Sequence, residues 1–145
     1  MIVTISQLIY QHALLDLGLK ETDGRASTPR IKLAIKAAAE WLEDDDSLTA
    51  WCGCIRGLWG IETKTGAPED FFRARNWLNW GEKIRIDQVQ QGDTVIMQRE
   101  GGFHVGLYSG PLDGLRFTML GGNQSNRVSI APQPKSLIVG VRRRI

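Results

Sequence analysis

The feature that most constrains this chain is a change of hydrophobic period between residues 81 and 92. Before it, apolar residues recur at helical spacing. Ser6–Leu17 carries Leu8, Ile9, Ala13 and Leu15 among polar residues, with Gly18 as a stop. Thr28-Pro29 reads as a start signal, and Ile31, Ile35, Ala38 and Leu42 then form one stripe that the acidic run Glu43–Asp46 closes. Ser47 or Thr49 is positioned to cap a third helix beginning near Trp51, with Trp51, Ile55 and Leu58/Trp59 on one face and Gly60 as its end. Pro68-Glu69 opens a fourth predicted helix running through Ala74 and Trp77/Leu78 to Gly81. After the change come short β-type runs at 94–97, 103–108, 115–120, 127–130 and 137–141, separated by Gly- and Pro-rich turns. Helices first and meandering strands second predict an α+β fold, with N-terminal helices packed on a C-terminal antiparallel sheet. The expected division is helical over about 1–81 and β over about 92–145.

At 145 residues, 42% apolar and 23% charged, the chain has the size and composition of one globular domain. No apolar run reaches the 18 or so residues of a membrane helix. The first residues lack a charged region, and Gln7 and Gln11 interrupt the apolar pattern, so no secretory signal is expected. The expected localisation is synthesis in the cytoplasm. Charge is unevenly distributed. Residues 1–72 hold 7 Lys/Arg and 11 Asp/Glu, net −4, whereas residues 73–145 hold 11 and 5, net +6. A basic half ending in Arg142-Arg143-Arg144 points to an anionic partner or to a solvated strand end.

Three residues carry potential chemistry. Cys52, in Trp51-Cys52-Gly53-Cys54, falls in the first turn of the third helix, where free backbone N–H groups and the helix dipole favour a thiolate. The two cysteines are too close for an ordinary disulfide. His104 opens a strand about 50 residues later, and Asn123 follows the next strand in Gly121-Gly122-Asn123-Gln124. A cysteine nucleophile needs a base within reach and a third group to orient that base. Taken singly, each has a plainer explanation: a buried thiol, a structural histidine and a turn asparagine.

The segments Trp51-Cys52, Ala74-Arg75-Asn76-Trp77-Leu78-Asn79-Trp80-Gly81, Gly92-Asp93-Thr94-Val95-Ile96, His104-Val105-Gly106-Leu107-Tyr108 and Leu120–Asn126 together resemble the small NlpC/CHAP proteins. These papain-like cysteine hydrolases of peptidoglycan are common in phage endolysins, and the resemblance runs from about Ile9 to Val141. It implies a papain-like NlpC/CHAP fold over 1–145 as a single catalytic domain. Cys52 would be the nucleophile, His104 the base and Asn123 the orienting residue, with Gln124 the second choice for that role. Two positions depart from the family pattern: Gly53-Cys54 after the nucleophile, and Phe103 between Gly102 and His104.

The implied function is an endolysin-like peptidoglycan hydrolase that cuts a wall amide by a Cys-His-Asn thiol mechanism, without cofactor or metal. Its expected partner is peptidoglycan, with no nucleic acid and no stable membrane insertion. The expected state is a monomer, with a holin giving access to the wall. The alternative is a non-enzymatic phage or nucleic-acid-binding protein using the basic C-terminal half. A metal site on Cys52, Cys54 and His104 lacks the second ligand pair that structural zinc usually has. Trp59 and Trp80 are candidate sugar-stacking surfaces, whereas Trp77 and Trp80, three apart, are expected to pack on the sheet.

Overall fold

The structure, a computed structural model, describes residues 2–21, 28–43 and 50–145. Helices α1 (Ile5–Leu14), α2 (Pro29–Ala38) and α3 (Cys52–Glu62) precede six strands. These are β1 (Glu82–Ile84), β2 (Thr94–Arg99), β3 (Gly102–Pro111), β4 (Arg116–Gln124), β5 (Arg127–Pro134) and β6 (Ile138–Arg143). They form one antiparallel sheet in the order β1-β6-β2-β3-β4-β5. The α+β class and the helices-then-sheet order expected from the sequence are both present.

Period-2 alternation divides the sheet's apolar residues between two cores. Ile96, Val105, Leu107, Leu120 and Val128 pack with the helices, while Val95, Met97, Phe117, Met119 and Val141 form a second cluster. Arg30 binds the helices together. Its guanidinium donates to Asp16 at 2.9 Å and to Glu62 at 2.6 Å, and Trp59 Nε1 donates to the same Asp16 carboxylate at 2.8 Å. These contacts link the segment after α1 to the start of α2 and the end of α3.

Several boundaries differ from expectation for local reasons. Helix α1 begins one residue earlier, because Thr4 and Gln7 form a reciprocal capping box. Helix α2 stops at Ala38, where Ala39 turns extended (φ −165°), so Leu42 packs on the core from outside the helix. Asp44–Asp46, Ser47 and Thr49 lie outside the described residues. Helix α3 starts as expected but runs past Gly60 to Glu62. The fourth predicted helix is replaced by turns and a short 3-10 segment, Ala74–Asn79. Asp70 is left-handed there (φ 50°), and Asn76 Nδ2 donates to the carbonyls of Glu69 and Asp70, which an α-helix would have used internally. Strand β1 has only three residues, too short to show a period. Trp59 and Trp80 are both buried, which removes them as sugar-stacking surfaces. Trp77 and Trp80 meet edge to face at 5.5 Å.

Candidate active site

Helix α3 places Cys52 at its first position, preceded by Trp51 with φ −112° and ψ 9° and no side-chain cap. Its neighbour Gly53 departs from the family pattern for a steric reason. A Cβ there would lie 2.5 Å from the Phe71 carbonyl oxygen and 2.9 Å from that of Phe72. The missing side chain therefore lets the 71–72 backbone lie directly on the first turn. On the other side, Gly122 of β4 lets the sheet approach closely, since a Cβ would come within 2.7 Å of the Trp51 ring. The nucleophile candidate is thus clamped between a loop and the sheet by two positions that admit only glycine.

Cys52 and His104 line one cleft of about 240 Å³, together with Ala50, Arg99, Glu100, Gly101, Gly102, Phe103 and Asn123. Both are nearly sealed, Cys52 at 6% exposure and His104 at 1%. Cys54, two residues further along the helix, is buried in the core and does not line the cleft.

The imidazole is held from one side only. His104 Nε2 lies 3.1 Å from Gln124 Oε1, while Nδ1 is buried without a partner. The orientation of the Gln124 amide follows from its surroundings. Its Nε2 donates to the carbonyls of Met119 at 3.1 Å and Ser129 at 2.8 Å, so Oε1 must face the ring. Gln133 Nε2 adds a second donor to that oxygen at 3.2 Å. An acceptor facing Nε2 fixes the proton there in the neutral ring, and Nδ1 is left as a free lone pair.

Asn123, the first-choice orienting residue from the sequence, is half-buried at the cleft in a left-handed conformation (φ 58°). The hydrogen bond to His104 comes from Gln124 instead. The cause is a bulge. Gly121 faces Ser129 and Gln124 faces Arg127, so β4 spends three steps where β5 spends two. One extra residue moves the next side chain into the place its predecessor would have filled. A turn-rich Gly-Gly-Asn-Gln-Ser-Asn string signals irregular geometry, but not which residue it rotates inward. Gln133 lies between Pro132 and Pro134, which read as a turn in the sequence; β5 instead runs on to Pro134 and carries Gln133 to the Gln124 side chain.

Electrostatics favour an uncharged pair at rest. Burial pushes the Cys52 thiol above its ordinary value, while the backbone N–H groups of Val105, Gly53 and Cys52 and the charge of Arg99 pull it down. Burial, followed by Arg99, lowers His104 to about 4, against the opposing hydrogen bond from Gln124. The expectation of a standing thiolate at the helix terminus thus meets a desolvation cost that works against both ions of the pair. Cys54 is pushed up to about 12 by burial.

Among the described residues, no three His, Cys, Asp or Glu side chains gather where they could hold a metal, and no helix is long and apolar enough to cross a membrane. The terminal arginines are largely committed internally. Arg142 donates to the Leu78 carbonyl at 3.0 Å, and Arg143 pairs with the fully buried Asp93 at 2.7 Å.

No protein-family model matches this chain, and no curated protein matches it. Its fold does match solved structures. The resuscitation promoting factor interacting protein RipA superposes with TM-score 0.62 at 16% identity, over 97% of this chain and 62% of that one. The P60 domain of a Mycobacterium avium subspecies paratuberculosis antigen gives 0.61 at 16%, over 95% and 93%. A Staphylococcus aureus protein described as similar to a lipoprotein of the NLP/P60 family gives 0.54 at 18%, over 97% and 41%. The chain therefore spans about three-fifths of the RipA chain and nearly all of the P60 domain. The likeness of fold to these proteins, at such low identity, gives this chain an NlpC/P60-type fold.

Proposed function

We propose that this protein is a peptidoglycan hydrolase that cleaves a wall amide through Cys52, His104 and Gln124. The observation that carries the reading is the half-held imidazole. Nε2 is anchored to Gln124, while the unpartnered Nδ1 is buried at the cleft that Cys52 also lines. A buried nitrogen left without a partner costs about 1–3 kcal/mol, which substrate chemistry can recover.

In this reading His104 Nδ1 takes the Cys52 proton as sulfur attacks the scissile carbonyl, so charge separates only once a substrate is present to receive the nucleophile. The backbone N–H of Cys52, at the helix start, turns to the developing oxyanion as the sulfur is acylated. His104 then gives its proton to the leaving amine, and water releases the acyl group from the thioester. Gln124 keeps the ring in register throughout. Its neutral amide orients the imidazole without neutralising it, which suits a residue that positions the base. Asn123 would be a rim residue of the cleft.

The test is the turbidity of purified cell walls, with mass spectrometry of the released fragments to identify the bond cut. Wall clearing by the wild-type chain and none by Cys52→Ala is the expected result. Solubilised fragments with new reducing ends but no new amino termini would overturn the amidase chemistry. The endolysin form of the reading takes residues 1–145 as one catalytic domain made in the cytoplasm, acting as a monomer and reaching the wall through a holin. It predicts clearing of purified walls but no lysis when the chain alone is expressed inside intact cells.

A further inference from the structure

We propose that Arg99 is a specificity-determining residue of this cleft and pairs with a free carboxylate of the substrate beside the amide to be cut. The inference rests on the hydrolase reading above and adds the chemistry of what must flank the scissile bond.

Arg99 ends β2 and faces Gly102 across a two-residue turn, Glu100-Gly101. Gly101 (φ 90°) and Gly102 (φ 143°) take backbone conformations that suit glycine, which lets the hairpin close tightly at the cleft. The arginine backbone is therefore fixed by the sheet, whereas its exposed side chain lines the same cleft as Cys52, His104 and Asn123. Among the described residues it has no ion pair and no side-chain hydrogen bond, although Glu100 is its immediate neighbour. A second cation reinforces the rim. Arg75, also without a carboxylate partner, lies over the ring of the cleft residue Phe103 at 5.6 Å from its centroid.

An unpaired guanidinium here has an electrostatic consequence. Its positive charge works against protonating His104, the form the base takes during the reaction. A substrate carboxylate docked on Arg99 cancels that field as it binds, so recognition and readiness of the base arrive together. The planar fork of arginine suits a carboxylate, because two parallel N–H···O bonds fix its orientation as well as its position. Neutral substrates leave the field in place and the fork empty.

The experiment uses soluble peptidoglycan fragments from one wall preparation, half left with free carboxylates and half converted to amides with carbodiimide and ammonia. Turnover is measured with the wild-type chain and binding with Cys52→Ala. The free-carboxylate fragments should be preferred about 10-fold in kcat/KM, through both KM and kcat, and Arg99→Ala should bring that ratio to about 1. Arg99→Lys should keep part of the preference. Lys135→Ala, which removes an equal charge from a residue lining a different cleft, should leave it intact. A preference that survives Arg99→Ala, or no preference in the wild type, overturns the Arg99 assignment and leaves the hydrolase reading standing. Carboxylate-dependent binding that is lost with Arg99, without turnover by the wild type, upholds the Arg99 site and overturns the hydrolase reading. Absence of binding to either fragment set overturns the Arg99 assignment.

Discussion

Two points one helical turn apart on α3 solve opposite problems with buried nitrogen. At Arg56 the guanidinium is fully buried. Nε and Nη2 donate to Thr94 Oγ1 at 3.2 and 3.0 Å, the Trp77 and Trp80 rings lie 4.4 and 4.9 Å away, and Nη1 has no partner. Burial pulls its pKa down to about 9, which still leaves it charged at neutral pH. Near Cys52, His104 is equally buried and also keeps one nitrogen without a partner. What differs is the surroundings. Arg56 is closed in by aromatic faces, which stabilise a cation where it stands. His104 borders a cleft, and burial keeps it neutral with a lone pair available. An unsatisfied buried polar atom therefore gains a functional meaning only from the space beside it.

The largest test of that contrast is at the cleft. Cys52→Ala should abolish wall clearing, whereas Cys54→Ser should keep most of it, because the second thiol lies in the core away from the cleft. The reverse result would move the reactive centre off the helix terminus. At the aromatic end the effect should appear in stability instead. Arg56→Ala removes two cation–π contacts and leaves a void, an expected loss of about 3–5 kcal/mol in denaturant unfolding. Arg56→Met, which refills the volume without a charge to desolvate, should lose less than about 1.5 kcal/mol. Equal losses for the two variants would show that the charge, and not the packing, is what the rings hold.

The pH response sharpens the same comparison. His104 titrates near 4 in the folded chain against about 6.5 when unfolded, so between these values the unfolded state takes up the extra proton. The contribution is neutral above about pH 6.5. It turns destabilising as pH falls, reaching about 3 kcal/mol near pH 4. His104→Gln should flatten that part of the stability profile measured by urea unfolding. Activity should likewise hold down to about pH 5 and fall only as the base becomes protonated near 4. An activity limb centred at about 6.5 would mean the ring is more solvated than its 1% exposure implies.

How far the sequence revealed this molecule depended on how local each feature is. The helical stripe through Ile31 and Ile35 and the β-type run Thr94–Met97 are set by neighbours along the chain, and both elements stand where their patterns predict. The Pro68–Gly81 segment looked helical, because periodicity does not register that Asn76 captures two carbonyls or that Phe71 and Phe72 must lie on Gly53. The places of Cys52 at a helix start and of His104 near a strand start were legible from the local pattern. The hydrogen bond between Gln124 and His104 was not. It depends on a one-residue register shift and on Gln133, a side chain from the next strand. Arg99 stood out no more than any other hairpin arginine until the cleft placed it beside a thiol and an imidazole.

The smallest expected effect concerns that register shift. Gln124→Ala removes the acceptor from His104 Nε2 but leaves nucleophile and base in place, so the rate should fall about 10–100-fold, or about 1.4–2.7 kcal/mol of barrier. Gln124→Glu retains an acceptor at the ring and adds a negative charge that favours imidazolium. It should therefore raise the pH of the acid limb while keeping more activity than alanine, a shift that loss of packing alone would not produce. Asn123→Gly is the counterpart. Glycine tolerates the left-handed backbone at φ 58° and carries no amide. If Asn123 serves the turn and Gln124 the imidazole, Asn123→Gly should stay within about 2-fold of the wild-type rate, a barrier change near 0.4 kcal/mol. A 10-fold loss with Asn123→Gly, together with near-normal activity in Gln124→Ala, would return the orienting role to Asn123. It would also mean that the bulged strand shifts register when substrate binds.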